Sequence, residues 1–336
     1  MEILLGKRKR FYKANLHCHT TLSDGALTPE EVKAAYQARG YSIVAFTDHE
    51  HIIDNSHLND EGFLTIPSCE LAIKEFPEQS SLKNMDMRVC HLNFYALDPK
   101  NCKTPCYASV YDHYVTEATR GRFTHDGEYT RRYSTDGINE MIRIGREQGF
   151  LVSYNHPSWS LENACDYLGY EGLFAVEIYN HSCAVSGHHT DEQAFDAMLR
   201  AGKHIYCTAA DDNHNKRGLA VKNPDSFGGF VMIEADALDY GQIMAALQAG
   251  DFYASSGPEI LSLTREGDTV RVKTSPAARI LMITHGRRIA RAEAEDGGTI
   301  TEAELTLRES DGYFRIRVEG QDGRCAYTQA YPVKPC

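Results

Sequence analysis

The chain has 336 residues, of which 42% are hydrophobic, and a formal net charge of −12. This length accommodates one large domain and a small one, and the hydrophobic content is ordinary for a globular protein. Because non-specific nucleic-acid binding needs a basic surface, the negative charge makes nucleic acid a poor candidate partner.

The chain shows no pattern typical of a secreted or membrane protein. Its ten cysteines are scattered and form no CxxC pair, unlike a secreted disulfide framework. The apolar run at residues 3–5 is too short for a signal peptide, and its basic residues follow rather than precede it. No run reaches the length of a membrane span. These features predict a reduced, cytoplasmic protein without a membrane partner.

The first predicted unit is a strand, a helix and a strand. His17 and His19 follow a short apolar run. Thr28 and Glu31 form a capping box with Pro29 between them, which predicts a helix that runs to about residue 39 and ends at Gly40. Residues 41–47 form a buried strand. Such a unit predicts two parallel strands joined by a right-handed crossover.

This alternation continues to about residue 249. Further strands are predicted at 63–68, 88–97, 150–154, 174–178, 204–209 and 229–234. Further helices are predicted at 135–148, at 190–202 after a second capping box (190–193), and at 238–249. The pattern favours a β/α barrel, in which side chains at the carboxyl ends of the strands meet. Seven strands precede residue 210, and 229–234 is the candidate eighth. His91 departs from the rule because it lies within its strand.

Two regions interrupt or follow the alternation. Residues 98–134 are too long for an ordinary connection. They carry Arg120, Arg122, Arg131 and Arg132, and are either a solvated insertion or a lid over the barrel mouth. Beyond residue 257 the helical period disappears, and 269–274 and 313–320 alternate apolar with polar residues. We predict a barrel domain at 1–257 and a small β-sandwich at 258–336, with a packing or interface role.

The side chains with metal-binding chemistry lie at or near the predicted strands. On a strand, residues two apart point to one face, so His17 and His19 can form half of a metal site. Neutral imidazole and carboxylate suit Zn, Mn or Fe. The full set of candidate metal ligands is His17, His19, Asp24, His49, Glu70, His91, His156, Asp212 and His214. One ion typically takes three or four protein ligands, so nine predict two to three ions.

The motifs resemble those of a known family. His-x-His at 17–19, Ser-Asp-Gly at 23–25 and Thr-Asp-His at 47–49 occur in the order found in the PHP family, the polymerase and histidinol phosphatase superfamily of metal-dependent phosphoesterases. The resemblance covers residues 13–257. Asn-His-Pro-Ser-Trp at 155–159 and Asp-Asp-Asn-His at 211–214 resemble its CehA/McbA-like metallohydrolase branch. The resemblance implies a distorted seven-stranded barrel and three ions.

The resemblance also implies how the ligands divide. One ion would take His17, His19, Glu70 and Asp212; a second would take Asp24, His49 and the bridging Glu70; a third would take His91, His156 and His214. Some family members have a histidine at the position of Asp24. A carboxylate there favours Mn or Fe at the second site.

Residues near these ligands are expected to orient them, to donate a proton or to bind substrate. Asp212 is preferred to Asp211 because Asp212-x-His214 reproduces the family's Asp-x-His ending. Glu177 is expected to orient a ligand rather than to bind metal. His51 is a candidate proton donor near the motif. Lys216 and Arg217 follow His214 directly and are candidate substrate-binding cations, with a solvated loop as the alternative.

These observations predict a metal-dependent hydrolase of small phosphomonoesters, either metabolites or nucleotides, that releases inorganic phosphate. The predicted nucleophile is metal-bound hydroxide, since no nucleophile elbow or glycine-rich phosphate loop is present. The residues predicted to act in catalysis are His17, His19, Asp24, His49, Glu70, His156 and Asp212. A carboxylic or carbamic ester hydrolase using the same metals is the alternative. A non-catalytic metal-binding module is a third reading, but such a module should have lost several ligands.

Overall fold

The computed structural model describes residues 1–76 and 86–334. The strands are β1 (Glu2–Leu5), β2 (Arg10–Asn15), β3 (Tyr41–Phe46), β4 (Leu64–Lys74), β5 (Val89–Ala96), β6 (Lys103–Thr104), β7 (Thr124–His125), β8 (Phe150–Tyr154), β9 (Ala175–Asn180), β10 (Tyr206–Ala210), β11 (Phe230–Ala235), β12 (Phe252–Ser255), β13 (Ile260–Glu266), β14 (Thr269–Ala277), β15 (Arg279–Thr284), β16 (Ile289–Glu293), β17 (Ile300–Thr306), β18 (Tyr313–Glu319), β19 (Cys325–Thr328) and β20 (Tyr331–Pro332). The helices are α1 (Pro29–Gln37), α2 (Thr135–Glu147), α3 (Ala164–Tyr167), α4 (His181–Val185), α5 (Glu192–Arg200) and α6 (Tyr240–Ala249).

Local sequence signals position the first crossover helix. The Thr28 side chain accepts a hydrogen bond from the Glu31 amide, and the Glu31 carboxylate accepts one from the Thr28 amide, so the predicted capping box of α1 is confirmed. β2 and β3 are parallel neighbours, as the strand–helix–strand unit predicts. The crossover therefore brings the segments after β2 and after β3 to the same edge of the sheet.

The second predicted capping box is wrong. α5 begins at Glu192 after Asp191, and the Asp191 side chain caps no helix amide. It accepts hydrogen bonds from the backbone and hydroxyl of Ser158 instead. A tertiary contact beside His156 has thus replaced the local cap.

The main sheet has an open hydrogen-bonded path. Its strand order is β10-β9-β8-β5-β4-β3-β2-β11-β12-β19-β18-β15-β16, with β20 paired to β18. The chain is a mixed α/β protein, but strand pairing among the described residues does not close a barrel, so the distorted seven-stranded barrel is not confirmed. The side-chain amide of Gln329 bridges two strands that do not pair: it exchanges hydrogen bonds with the backbone of Cys207 in β10 and donates to the carbonyl of Phe252 in β12.

In the part of this sheet from β10 to β2, one strand runs antiparallel to its neighbours. β5 is antiparallel to both β4 and β8, whereas β2–β3, β3–β4, β8–β9 and β9–β10 are parallel pairs. The beginning of β5 therefore meets the carboxyl ends of the parallel strands. This direction explains why His91 lies early in its strand and still faces the predicted site.

The carboxyl-terminal third adds a second strand layer. The sheet β1-β13-β14-β17 shares a core with β15 and β18, built around Leu263, Val272, Ile280 and Phe314. β1 comes from the amino terminus, and β18 and β15 continue the main sheet through β19. Two layers are present, but a separate sandwich domain is not confirmed. The boundary near residue 257 stays a prediction.

No helix in residues 1–76 and 86–334 is both long enough and apolar enough to cross a membrane.

Candidate metal centre

The loops after β2 and β10 meet through a backbone bridge. Cys18 pairs with Asn213, the His19 amide donates to the Asn213 carbonyl, and the Asp212 amide donates to the His17 carbonyl. This pairing places the His-x-His segment against the Asp-x-His segment. The imidazole rings of His19 and His214 consequently stack with centroids 4.3 Å apart.

A second bridge fixes the Thr-Asp-His segment. His49 pairs with Glu70, which lies inside the long strand β4. Asp48 organises the neighbouring loop by accepting hydrogen bonds from Thr20 and from the Ser23 hydroxyl. The loop that carries Asp24 is therefore held over the same edge of the sheet.

Three overlapping groups of ligand-type atoms result, each with its atoms within 4.8 Å of one another. We name them by their carboxylates. The Asp24 cluster contains His19, Asp24, His49 and His214; the Glu70 cluster contains His17, Glu70 and His156; the Asp212 cluster contains His17, His19 and Asp212. His91 adjoins the second, with its Nδ1 atom 3.1 Å from Glu70 Oε1. All nine predicted ligands are thus brought together.

The division among the clusters differs from the expected one: His19 and His214 join Asp24 and His49, and His156 groups with His17 and Glu70. His214 was expected beside His91 and His156, but its Nε2 atom lies 3.3 Å from Asp24 Oδ1. The bridge between Cys18 and Asn213 is the reason, because it draws the end of the Asp-x-His segment towards the loop of Asp24. Glu70 takes the predicted bridging position, with Oε1 3.2 Å from His17 Nε2 and Oε2 3.1 Å from His49 Nδ1.

The donor atoms of the clusters fit bound cations. His19 Nδ1, Asp24 Oδ1 and His49 Nδ1 are buried and have no hydrogen-bond partner among the described residues. The Nε2 atoms of His17 and His19 face each other at 3.2 Å. Buried polar atoms are normally paired, so converging unpaired nitrogen and oxygen atoms are typical of a metal site.

Burial and neighbouring charges shift the pKa values of the clustered side chains. Burial, followed by the charges of His49 and His214, lowers the pKa of His19 to about 3, which keeps the ring neutral as a metal ligand requires. Burial alone would lower the pKa of His17, but the charges of Asp212 and Glu70 outweigh it and raise that pKa well above the usual value. Burial would raise the pKa of Glu70, yet the surrounding histidines hold it well below the usual value.

The two adjacent aspartates have different surroundings. Asp212 Oδ1 lies 3.0 Å from His19 Nε2 and 3.3 Å from His17 Nε2. Asp211 instead accepts hydrogen bonds from the Tyr36 hydroxyl and from three consecutive backbone amides, 227–229. The structure therefore places Asp212 in the centre and gives Asp211 a loop-holding position.

A layer of polar side chains supports the ligands. Glu177 Oε1 lies 3.0 Å from His17 Nδ1, the orienting position expected for it. Three further supporting side chains were not predicted from the sequence. Asn155 donates to Glu70, Asn180 donates to both Glu177 and Asp212, and the Ser160 hydroxyl lies 3.2 Å from His156 Nδ1. The available signal was the position of Asn155 directly before His156 and of Asn180 at the end of β9.

The candidate substrate-binding residues have diverse positions. Lys216 lies at the rim, where its Nζ atom is 3.0 Å from Asp24 Oδ2. Arg217 is exposed and lines a cavity beside His214. His51 is fully buried, and its Nε2 atom contacts the Leu22 carbonyl at 3.1 Å. As a proton donor, His51 would need solvent or substrate access that this packing does not give.

The 98–134 insertion covers part of the centre. The Tyr114 ring lies 4.3 Å from that of His49, and Phe123 stacks on His51. Of the four arginines in this insertion, Arg131 is buried, and its guanidinium pairs with Glu50 at 2.6 Å. Arg132 pairs with Glu140 on α2. A lid function for the insertion stays a prediction.

Comparison with known proteins gives partial matches. No family model matches the chain. A 5′-3′ exoribonuclease from Haemophilus influenzae is 30% identical over 92 residues, which are 26% of this chain and only 31% of that protein.

Two solved structures extend the comparison. A two-domain protein from Bacteroides vulgatus containing a predicted PHP-like metal-dependent phosphoesterase is 12% identical, covers 98% of each chain and has a TM-score of 0.46. An amidohydrolase from Chromobacterium violaceum is 12% identical over 71% of this chain and 96% of that one, with a TM-score of 0.37. The CehA/McbA-like branch stays a prediction.

Proposed function

We propose that the chain is a metal-dependent phosphoesterase that hydrolyses a small phosphomonoester to an alcohol and inorganic phosphate. The observation that carries the proposal is the convergence of nine ligand-type side chains, eight of them in three overlapping clusters and His91 beside the Glu70 cluster. Two to three divalent ions, Zn, Mn or Fe, would be held by these clusters. Bound ions of this kind lower the pKa of water to about 7 and neutralise charge on a phosphoryl group.

Three carboxylates of the chain would hold such ions. Asp24 and Asp212 each face histidine nitrogens of their own cluster, and Glu70 contacts His17 on one side and His49 on the other. Glu177 and Asn180 fix the orientations of His17 and Asp212. In hydrolysis, water forms the new bond to phosphorus, the bond from phosphorus to the ester oxygen breaks, and the departing oxygen gains a proton.

Lys216 gives the rim a charge suited to a phosphate. Its side chain is 60% exposed, and its ammonium group contacts Asp24 at 3.0 Å. An incoming phosphate oxygen could take the place of solvent around this ammonium, which would add a cation to the face of the centre. The side chain can also move away, since it is bound only at its tip.

Metal analysis and activity should be measured on one preparation. Protein purified without chelators is expected to hold two to three transition-metal ions per chain, to hydrolyse p-nitrophenyl phosphate, and to lose that activity with EDTA. Inorganic phosphate is expected to inhibit at millimolar concentration as the product.

Two outcomes would contradict the proposal. One ion or none under metal-replete conditions would remove the multi-metal centre. Turnover of carboxylic esters, with neither phosphatase activity nor inhibition by phosphate, would favour the ester hydrolase instead.

A further inference from the structure

A cavity opens beside the Asp24 cluster. It has a volume of about 320 Å³, and its walls come from α4 and from the segment 214–225. The lining residues are Ser182, Val185, Ser186, His214, Lys216, Arg217, Asn223 and Asp225. His214 is both a cluster member and a wall of this cavity, so the cavity adjoins the Asp24 cluster.

Several polar groups of this cavity are already engaged. Asp225 Oδ2 accepts hydrogen bonds from the amides of His214 and Asn215, which holds the segment in place. Lys216 is paired with Asp24 at the edge of the centre. Arg217 is exposed to the cavity, and its guanidinium has no carboxylate partner among the described residues.

The size and polarity of the cavity limit what it can hold. Its volume equals roughly ten water molecules at about 30 Å³ each, which suits a small group rather than a polymer. The hydroxyls of Ser182 and Ser186 and the amide of Asn223 are available lining groups. A guanidinium binds carboxylate and phosphate groups through two parallel hydrogen bonds.

We propose that this cavity receives the leaving group of the phosphomonoester, and that Arg217 determines specificity by binding an anionic group on that leaving group. This inference rests on the proposed function. Lys216 faces the scissile phosphate at Asp24, whereas Arg217 is one residue further from the centre and meets the far end of the substrate. The preferred substrate is therefore a small phosphomonoester with a second negative charge, either a carboxylate or another phosphate.

Three phosphomonoesters with three-carbon leaving groups test the proposal. 3-Hydroxypropyl phosphate has a neutral leaving group, 3-phosphooxypropanoate has a carboxylate, and propane-1,3-diyl bisphosphate has a second phosphate. For the metal-loaded wild-type protein, kcat/KM is expected to be at least tenfold higher with one of the two anionic probes than with the neutral one. The preferred probe identifies the anion. In Arg217→Met, the ratio of kcat/KM between that probe and the neutral one is expected to fall to about one, mainly because KM for the anionic probe rises.

Lys222→Met provides the matched control. Lys222 is an exposed cation in the same segment but does not line the cavity, so its replacement removes the same charge and should leave the preference intact. Equal kcat/KM values for all three probes in the wild type would overturn the inference alone. A preference that survives in Arg217→Met would also overturn it. If the metal-loaded protein hydrolysed none of the probes and no p-nitrophenyl phosphate, the proposed function would fail, and this inference with it.

Discussion

Among the places where the described residues bury charge, two are built differently. At the junction of α5 and β18, the fully buried Arg315 contacts Glu192 at 2.6 Å and Asp196 at 2.9 Å. Arg317 adds a second guanidinium to Glu192. Each carboxylate of this junction therefore meets an arginine, and the chain supplies both signs of charge.

The candidate metal centre lacks such internal compensation. Glu70 and Asp212 are surrounded by imidazoles, and atoms of His19, Asp24 and His49 have no hydrogen-bond partner among the described residues. Buried carboxylates are costly unless a cation accompanies them. The junction thus contains its own counter-charges, although Arg315 Nη1 and Arg317 Nε form no hydrogen bond among the described residues, whereas the centre is completed by ions or protons. Changes at the centre should affect metal content and activity, and changes at the junction should affect stability.

The largest effect is expected for His17→Ala. His17 belongs to two clusters, so its loss should lower both metal content and phosphatase activity. A bound metal contributes several kcal/mol of transition-state stabilisation, so kcat/KM should fall roughly 1,000-fold or more. Metal analysis and steady-state kinetics on the same sample measure both changes.

His57→Ala serves as its control, because His57 is exposed and contacts Glu30 rather than a cluster residue. This variant should retain both metal and activity. A comparable loss in both variants, or a His17→Ala protein with full activity, would contradict the assignment of His17.

The largest effect on stability is expected for Arg315→Met. Removing one member of a buried ion pair typically costs about 3–5 kcal/mol. A loss near the lower end is expected, because Glu192 keeps Arg317 and Asp196 keeps Arg200 at 3.7 Å. Denaturant unfolding should show this loss in the free energy of unfolding, while metal content and kcat/KM at low temperature stay near wild-type values. Arg317→Met should cost less, because its side chain is 25% exposed. Loss of metal in Arg315→Met would remove the contrast between the two regions.

A smaller effect on the centre is expected for Glu177→Gln. Its carboxylate lies 3.0 Å from His17 Nδ1 and accepts a hydrogen bond from the His156 amide, so it orients two ligands without belonging to a cluster. Loss of such a supporting group typically lowers metal affinity or activity 10- to 100-fold. Titration of the metal-free variant with metal, followed by its activity, measures this loss of affinity. Glu171→Gln, an exposed glutamate paired with Lys203, should change neither.

The sequence predicted which side chains lie together better than it predicted how they are grouped. Local patterns place His17 and His19 on one face of an extended segment, and they predict the cap of α1 at Thr28, which the structure confirms. The antiparallel direction of β5, which brings His91 to the centre, depends on pairing with β4 and β8. No local signal carries that information.

Long-range contacts also explain the other differences. His214 joins the Asp24 cluster because Asn213 pairs with Cys18, nearly 200 residues earlier. Arg131 is drawn into the core by the charge of Glu50. Gln329 spans β10 and β12 from beyond the predicted barrel domain. Each contact couples segments that are distant in sequence, so composition and periodicity could not indicate it.

The smallest effect is expected for Asp211→Asn, which should differ from the same change at the neighbouring Asp212. Asp211 Oδ1 accepts from the amides of Gly228 and Gly229, and Oδ2 accepts from the Tyr36 hydroxyl and the Phe227 amide. In Asp211→Asn, one of these oxygens becomes an amide donor, which leaves at least one buried backbone amide unpaired. Such a loss costs about 1–3 kcal/mol, and it should appear in the free energy of unfolding without loss of metal. Asp212→Asn should show the reverse, with lower metal content and activity, because Asp212 faces the nitrogens of His17 and His19. Metal loss in Asp211→Asn, together with metal retention in Asp212→Asn, would assign the ligand to Asp211 and contradict the geometry of the Asp212 cluster.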